Sequence, residues 1–129
     1  MDFETLLYEK QGHTAIVTLN RPDRRNAINL TMAQELGKAW EMVGADRDVR
    51  AAILTGAGSE SFTYGIDHDN EVVDDRETFG DTTLAASPMA RTTARRAGVW
   101  KPVICAVNGE CCANGGWSLL MDSDVIIAS

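Results

Sequence analysis

Alternating apolar and polar positions predict a β-hairpin near the start of the chain. Leu6–Lys10 and His13–Leu19 alternate with a period of two, as half-buried strands do. Gln11-Gly12 lies between them and predicts the two-residue turn of the hairpin. The second strand should end at Asn20–Asp23, because Pro22 cannot donate a hydrogen bond to a ladder.

The spacing of the next apolar side chains changes to that of a helix. Asn29 or Thr31 can cap its start, and Gly44 is a plausible end. The predicted buried stripe, which recurs every three or four residues, consists of Met32, Leu36, Trp40 and Val43. A helix directly after a strand indicates an α/β arrangement.

Short apolar runs separated by turns predict the remaining strands. These runs are Arg50–Thr55, Val103–Val107 and Asp124–Ala128, and a short helix from Ala113 to about Met121 precedes the last. Strand–helix alternation with such runs predicts a largely buried sheet. The sequence stops just after the last apolar run, so we expect this chain to be part of a larger fold.

Two stretches fit this pattern less well. Phe62–Thr78 is acidic and irregular, and Thr83–Val99 has helical character that Pro88 interrupts. Arg91, Arg95 and Arg96 form a local basic face on the second stretch. That face is either a solvated surface or a contact for a phosphate-bearing ligand.

Composition narrows the class of protein. The 129 residues carry a net charge of −7, which argues against non-specific binding to nucleic acid or an anionic membrane. The acidic start of the chain lacks the basic region of a signal peptide, so we expect a cytoplasmic protein. Cys105, Cys111 and Cys112 have neither disulfide nor zinc spacing, which favours small buried side chains over reactive thiols.

Two glycine turns carry the candidate chemistry. Gly65 follows a buried strand and a glycine-rich turn, and it lets the backbone turn tightly so that the N–H of Ile66 can point into a cleft. Asn114-Gly115-Gly116 opens a helix, where backbone amides lack partners and negative charge is favoured. Two such amides converging on one carbonyl oxygen would form an oxyanion hole.

In order, the segments VTLNRPDRRNAIN, VRAAILTGAG, FTYGID, KPVICAVNG and DVIIAS resemble the enoyl-CoA hydratase/isomerase family, the crotonase superfamily. The resemblance runs from about His13 to Ser129. It implies an α/β fold of repeated β-β-α turns that assembles as trimers or hexamers. Residues 1–129 correspond to the N-terminal half of such an acyl-CoA-binding domain, without its C-terminal half. The implied substrates are acyl-CoA thioesters, as in fatty acid metabolism, and no cofactor or metal is permanently bound.

The resemblance assigns the oxyanion donors by position. The first donor is the amide of Ile66. Counting back from Asp124 places the second at Gly115, whereas counting forward from Asn108 places it at Asn114, because this segment is one residue longer than the usual pattern. We prefer Gly115, since close approach of a thioester suits glycine.

The acid that hydratases carry three positions after the second donor is missing. That position is Trp117 or Ser118, and neither is a carboxylic acid. We therefore expect isomerisation, hydrolysis or decarboxylation rather than simple hydration, on an acyl-CoA or a diketone. The alternatives are a non-catalytic acyl-CoA-binding or assembly subunit and an inactive truncated fragment. We expect this chain alone to be inactive.

Further residues are candidates for substrate or CoA binding by the same resemblance. Arg24, Arg25, Asn26 and Ala27 match the family's CoA contacts, although this stretch could also be a solvated loop that caps the helix. Tyr64 lines the acyl pocket or packs, and Trp117 packs in the core or forms a wall of the pocket. Asp67, beside Gly65, is expected to order its loop. His68 is a possible acid or base, or else a surface residue of the loop.

Overall fold

A computed structural model describes residues 2–67 and 91–129. The helices are α1 (Leu30–Ala45) and α2 (Ala113–Met121), with a 3₁₀ helix at Pro22–Arg24. The strands are β1 (Leu6–Gln11), β2 (Thr14–Leu19), β3 (Ala51–Gly56), β4 (Ser61–Thr63), β5 (Val103–Val107), β6 (Glu110–Cys111) and β7 (Val125–Ala128). In the part of the chain so described, none of the helices has the length and hydrophobicity that a membrane crossing requires.

Among the described strands, β1, β2, β3, β5 and β7 form one sheet in that order. β1 and β2 are antiparallel, and the other neighbours are parallel. Gln11 pairs with Thr14, so the hairpin turn is Gly12-His13 and not the predicted Gln11-Gly12. Gly12 has a φ of 57°, and a positive φ at the first turn position matches the twist of the two strands.

α1 lies between β2 and β3 in sequence and covers one face of the sheet. The side chain of Asn29 accepts a hydrogen bond from the amide of Met32, so Asn29 is the N-cap, one of the two residues predicted. The predicted stripe of Met32, Leu36, Trp40 and Val43 is buried in the core. The helix passes the predicted end at Gly44 and stops at Ala45, where Asp46 turns to an extended conformation.

The face of the sheet opposite α1 is more exposed than the prediction of a largely buried sheet implies. In-register pairing aligns Ile16, Ile53, Ile104 and Val125 in a row across four strands. The first three are half-buried and Val125 is half-exposed. All four residues of β7 are exposed, because within the described residues β7 pairs only with β5. The expectation of a largely buried sheet therefore fails at β7 within the described residues.

The segment before β5 also differs from its prediction. The helix predicted over Thr83–Val99 lies partly outside the described residues, and residues 91–98 form turns. The three arginines on this stretch contact acids of neighbouring segments: Arg91 with Glu41, Arg95 with Asp124, and Arg96 with Asp122. The predicted basic face is thus largely balanced by carboxylates.

Candidate functional site

A second, two-stranded sheet brings the two glycine turns together. β4 and β6 are parallel, with Ser61 opposite Glu110 and Thr63 opposite Cys111. The sequence did not predict β6, whose two residues are too few to show a period. Because parallel strands end on the same side, the segments after β4 and β6 leave side by side. A hydrogen bond of 3.0 Å from the Cys112 amide to the Thr63 carbonyl extends the pairing.

Gly65 and Ile66 follow β4 in a fixed orientation. Gly65 has a φ of 95°, which favours glycine. Ile28 forms a parallel bridge with Ile66: its N–H donates to Gly65 O at 2.7 Å, and its C=O accepts from Asp67 N at 2.9 Å. Those bonds come from the residues on either side of Ile66, so the N–H of Ile66 itself points away from Ile28.

Gly115 lies directly against this segment. It is the third residue of α2, where backbone amides have no acceptor within the helix, and the side chain of the N-cap residue, Cys112, makes no capping hydrogen bond. A Cβ placed on Gly115 would lie 3.1 Å from the Ile66 nitrogen, the Gly65 Cα and the Gly65 carbonyl carbon. A side chain at this position would be in unusually tight contact with that backbone, so the approach favours glycine. This contact supports Gly115 as the second donor.

A buried ion pair supports the segment after Ile66. Arg21 donates through Nη1 to the Ala27 carbonyl at 2.7 Å and to Asp67 Oδ2 at 2.9 Å. The side chains of Arg21 and Asp67 are 15% and 4% exposed. The sequence pattern alone indicates Arg21 only as part of a strand break. An arginine directly after a buried strand was the available signal, but nothing in the sequence named Asp67 as its partner.

The predicted CoA-binding residues occupy three different environments. Ala27 is buried, and its carbonyl is the acceptor for Arg21. Arg24 lies 3.6 Å from Asp67 Oδ1 and is 43% exposed. Arg25 is more exposed and lies 3.6 Å from Glu110, with its guanidinium carbon 5.4 Å from the centre of the Tyr64 ring. Arg24 and Arg25 therefore present positive charge at the surface beside the two turns.

Asn26, the fourth residue matched to the family's CoA contacts, organises the same region from the interior. It is fully buried with a φ of 54°. Its side chain accepts from the Arg21 amide and donates to the carbonyls of Ala57 and Ser61. It forms part of the wall of a cleft of about 300 Å³, which is lined by Pro22, Arg25, Asn26 and residues 57–61.

The predicted aromatic residues are at the surface. Tyr64 is 47% exposed, and its ring contacts Arg25 rather than the core. Trp117 is 65% exposed, so of its two predicted places the core is not the one it takes among the described residues. It follows Gly115 by two positions on α2, about 200° around the helix, and so points away from the face of Gly115. Ser118, at three positions, lies on the face of Gly115.

His68 and the three cysteines add little to the candidate site. His68 lies outside the described residues. The three cysteines are free thiols. Burial raises the pKa of Cys105 to about 11, and burial also raises the pKa values of Cys111 and Cys112. Cys105 is buried as predicted, whereas Cys111 and Cys112 are half-buried.

Comparison with known proteins identifies the family. Residues 9–129 match the sequence model of the enoyl-CoA hydratase/isomerase family. The chain belongs to this family. Its α/β architecture is a portion of the crotonase fold: a crystal structure of an enoyl-CoA hydratase/isomerase from Mycobacterium paratuberculosis superimposes with a TM-score of 0.78 at 34% identity, covering 98% of this chain and 45% of that one.

The names of relatives in the family state different activities. The chain is 39% identical over 124 residues to enoyl-CoA hydratase EchA19 of Mycobacterium tuberculosis, covering 95% of this chain and 45% of the relative. It is 35% identical to 1,2-epoxyphenylacetyl-CoA isomerase of Escherichia coli, covering 98% of this chain and 48% of the relative. The chain thus spans about half the length of these relatives.

Proposed function

We propose that the protein carrying this chain transforms an acyl-CoA thioester and stabilises negative charge on the thioester oxygen with the backbone amides of Ile66 and Gly115. The close approach of Gly115 to the Ile66 nitrogen is the observation that carries the proposal. Two amides from adjoining backbone segments can both lie about 2.7–3.1 Å from one oxyanion. Membership of the family supports a CoA ester as the substrate.

Surface cations beside the turns support CoA binding. Arg24 and Arg25 lie next to the oxyanion donors, and Arg25 also lines the cleft of about 300 Å³. Guanidinium groups bind phosphate oxygens through charge-assisted hydrogen bonds. We therefore assign the phosphates of CoA to Arg24 and Arg25, the thioester to the two amides, and the neighbourhood of the acyl chain to Tyr64.

The reaction class follows from the residue on the face of Gly115. Ser118 stands three positions after the second donor and has no carboxylate, so this helix supplies no general acid or base for water. We propose isomerisation, hydrolysis or decarboxylation, with the proton-transferring group provided by residues other than those of α2. The same interpretation makes residues 1–129 the N-terminal half of the domain, inactive alone.

The test is a substrate comparison on the whole protein that carries this chain. Crotonyl-CoA hydration is followed by loss of the conjugated thioester absorbance, and a panel of acyl-CoA esters is followed by mass spectrometry. We expect slow or absent hydration and turnover of at least one other ester. Hydration as fast as in ordinary hydratases would contradict the assignment of reaction class. Product formed by residues 1–129 alone would contradict their proposed inactivity.

A second candidate is a non-catalytic subunit that binds acyl-CoA. The absence of a carboxylate at Ser118 and the extra residue between Asn108 and Asp124 favour it. Binding of butyryl-CoA in a calorimeter, without product from any ester of the panel, would support this candidate. We also carry over from the family an assembly of trimers or hexamers, and light scattering that finds a monomer of the whole protein would contradict it.

A further inference from the structure

Arg21 contacts both strands of the bridge that orients Ile66. The bridge joins Ile28 to Ile66. On one strand, the Ala27 carbonyl, just before Ile28, accepts from Arg21 Nη1 at 2.7 Å. On the other, the carboxylate of Asp67, just after Ile66, accepts from the same nitrogen at 2.9 Å. One guanidinium therefore links the two strands at the bridge.

Burial makes this link stronger than a surface ion pair. Asp67 is 4% exposed and Arg21 is 15% exposed, so water competes little for either charge. Among the described residues, the guanidinium of Arg24 also lies near this carboxylate, but farther away at 3.6 Å and 43% exposed. A further hydrogen bond fixes the start of the Arg21 segment: the Arg21 amide donates to the buried side chain of Asn26 at 2.9 Å.

The orientation of the Ile66 amide needs such a link. Gly65 precedes it, and glycine leaves the backbone free to take several conformations. The direction of the Ile66 N–H is set by the bridge, in which Ile28 makes two hydrogen bonds, while the Tyr64 amide, just before Gly65, donates to the Arg25 carbonyl at 2.9 Å. Weakening the bridge would let the peptide between Gly65 and Ile66 rotate and would move its N–H away from Gly115.

We propose that Arg21 is a positioning residue, which holds the Ile66 amide in the direction that polarises a bound thioester carbonyl by pairing with Asp67 and Ala27. The effect on a thioester carbonyl rests on the proposed function, whereas the ordering of the Ile66 segment by Arg21 does not. It predicts a loss of carbonyl polarisation when Arg21 is changed, even where the acyl-CoA still binds, because the proposal gives Arg21 contacts to Ala27 and Asp67 and none to the ligand.

The first experiment needs no ligand and measures amide hydrogen exchange, by NMR, in the whole protein that carries this chain. In Arg21→Met, the amides of Ile28 and Asp67 should exchange at least tenfold faster, while the amide of Leu54 in the central strand stays unchanged. Arg21→Lys keeps the charge and should restore part of the protection. Arg95→Met removes a partly buried ion pair elsewhere and should leave both amides as they are. Unchanged exchange in Arg21→Met would overturn the proposal.

The second experiment measures the effect on a thioester. Butyryl-CoA labelled with ¹³C at the carbonyl is bound to the whole protein, and its carbonyl band is recorded by infrared difference spectroscopy. We expect a shift to lower frequency in the unaltered protein and loss of at least half of it in Arg21→Met, with a dissociation constant changed less than tenfold. An undiminished shift in Arg21→Met would overturn the proposal and leave the proposed function standing.

Two further outcomes separate the remaining possibilities. No shift in the unaltered protein with bound butyryl-CoA would overturn the proposed function, while the exchange rates still decide whether Arg21 orders the segment. If Arg21→Met fails to fold, the double variant Arg21→Met/Asp67→Asn removes both buried charges together. That variant should fold and still lack most of the carbonyl shift, and a full shift in it would overturn the role of Arg21.

Discussion

Replacing Gly115 by alanine tests the close approach that defines the candidate site. The new Cβ would lie 3.1 Å from the Ile66 nitrogen and from two atoms of Gly65, well inside the usual contact distance of about 3.5–4.0 Å. All three atoms are backbone, and the hydrogen bonds of Ile28 hold that backbone in place. The overlap can therefore be relieved only by moving α2 or the Gly65–Ile66 segment.

Two opposing effects set the size of the change in stability. Overpacking of this kind costs about 1–3 kcal/mol, whereas alanine in place of glycine stabilises a helix by at most about 1 kcal/mol. We expect Gly115→Ala to lower the free energy of unfolding by about 0–2 kcal/mol. Gly37→Ala is the matched control within α1: its Cβ would meet nothing closer than 3.6 Å, so it should gain up to about 1 kcal/mol.

Urea-induced unfolding, followed by circular dichroism, measures the difference between these two variants. Gly115→Ala should be less stable than Gly37→Ala by about 1–3 kcal/mol. In the whole protein, displacement of a donor amide should also lower acyl-CoA turnover about 10²–10³-fold, while Gly37→Ala stays near the unaltered rate. Equal stability of the two variants, or full turnover in Gly115→Ala, would refute the close approach as the basis of the site.

Three other predictions concern single contacts. Asn29→Ala removes the N-cap of α1 and should cost about 1 kcal/mol in urea unfolding, whereas Asn29→Ser should cost little. Lys10 lowers the pKa values of Asp46 and Asp48 by hydrogen bonding. Its contribution to the free energy of unfolding is therefore fully present above about pH 4, the ordinary aspartate pKa. That contribution is lost as the pH falls through the lowered pKa values and both carboxylates become protonated. The stability difference between Lys10→Met and the unaltered chain should therefore vanish in acid, and a difference that persists at pH 2 would contradict this. Cys105, with its pKa raised to about 11, should resist iodoacetamide at pH 8 until the chain is unfolded, and rapid alkylation in the native state, located by peptide mapping, would argue against its burial.

Features determined by near neighbours in sequence were predictable. The cap at Asn29 and the stripe of α1 follow from a period of 3.6 residues. The hydrophobic runs located β3 and β5 to within a residue. Glycine chemistry and the family resemblance pointed to Ile66 and Gly115, and the structure places these residues together.

Features that depend on distant partners were not predictable. The ion pair of Arg21 and Asp67 joins residues 46 positions apart, and no local pattern indicates which acid an arginine will contact. Asn26 adopts a left-handed conformation because three segments meet at its side chain. The exposure of Trp117 likewise depends on what packs around α2, since a large aromatic side chain is usually buried.

The apolar row of Ile16, Ile53, Ile104 and Val125 has a consequence for how the chain behaves outside a complete fold. Beside it, β7 presents three half-exposed apolar residues, Val125, Ile126 and Ile127, on a strand whose outer edge pairs with no other described strand. Such an edge accepts further strands and promotes aggregation. Overexpressed alone, residues 1–129 should accumulate in inclusion bodies. A charged residue that interrupts the apolar edge, as in Ile127→Lys, should increase the soluble fraction.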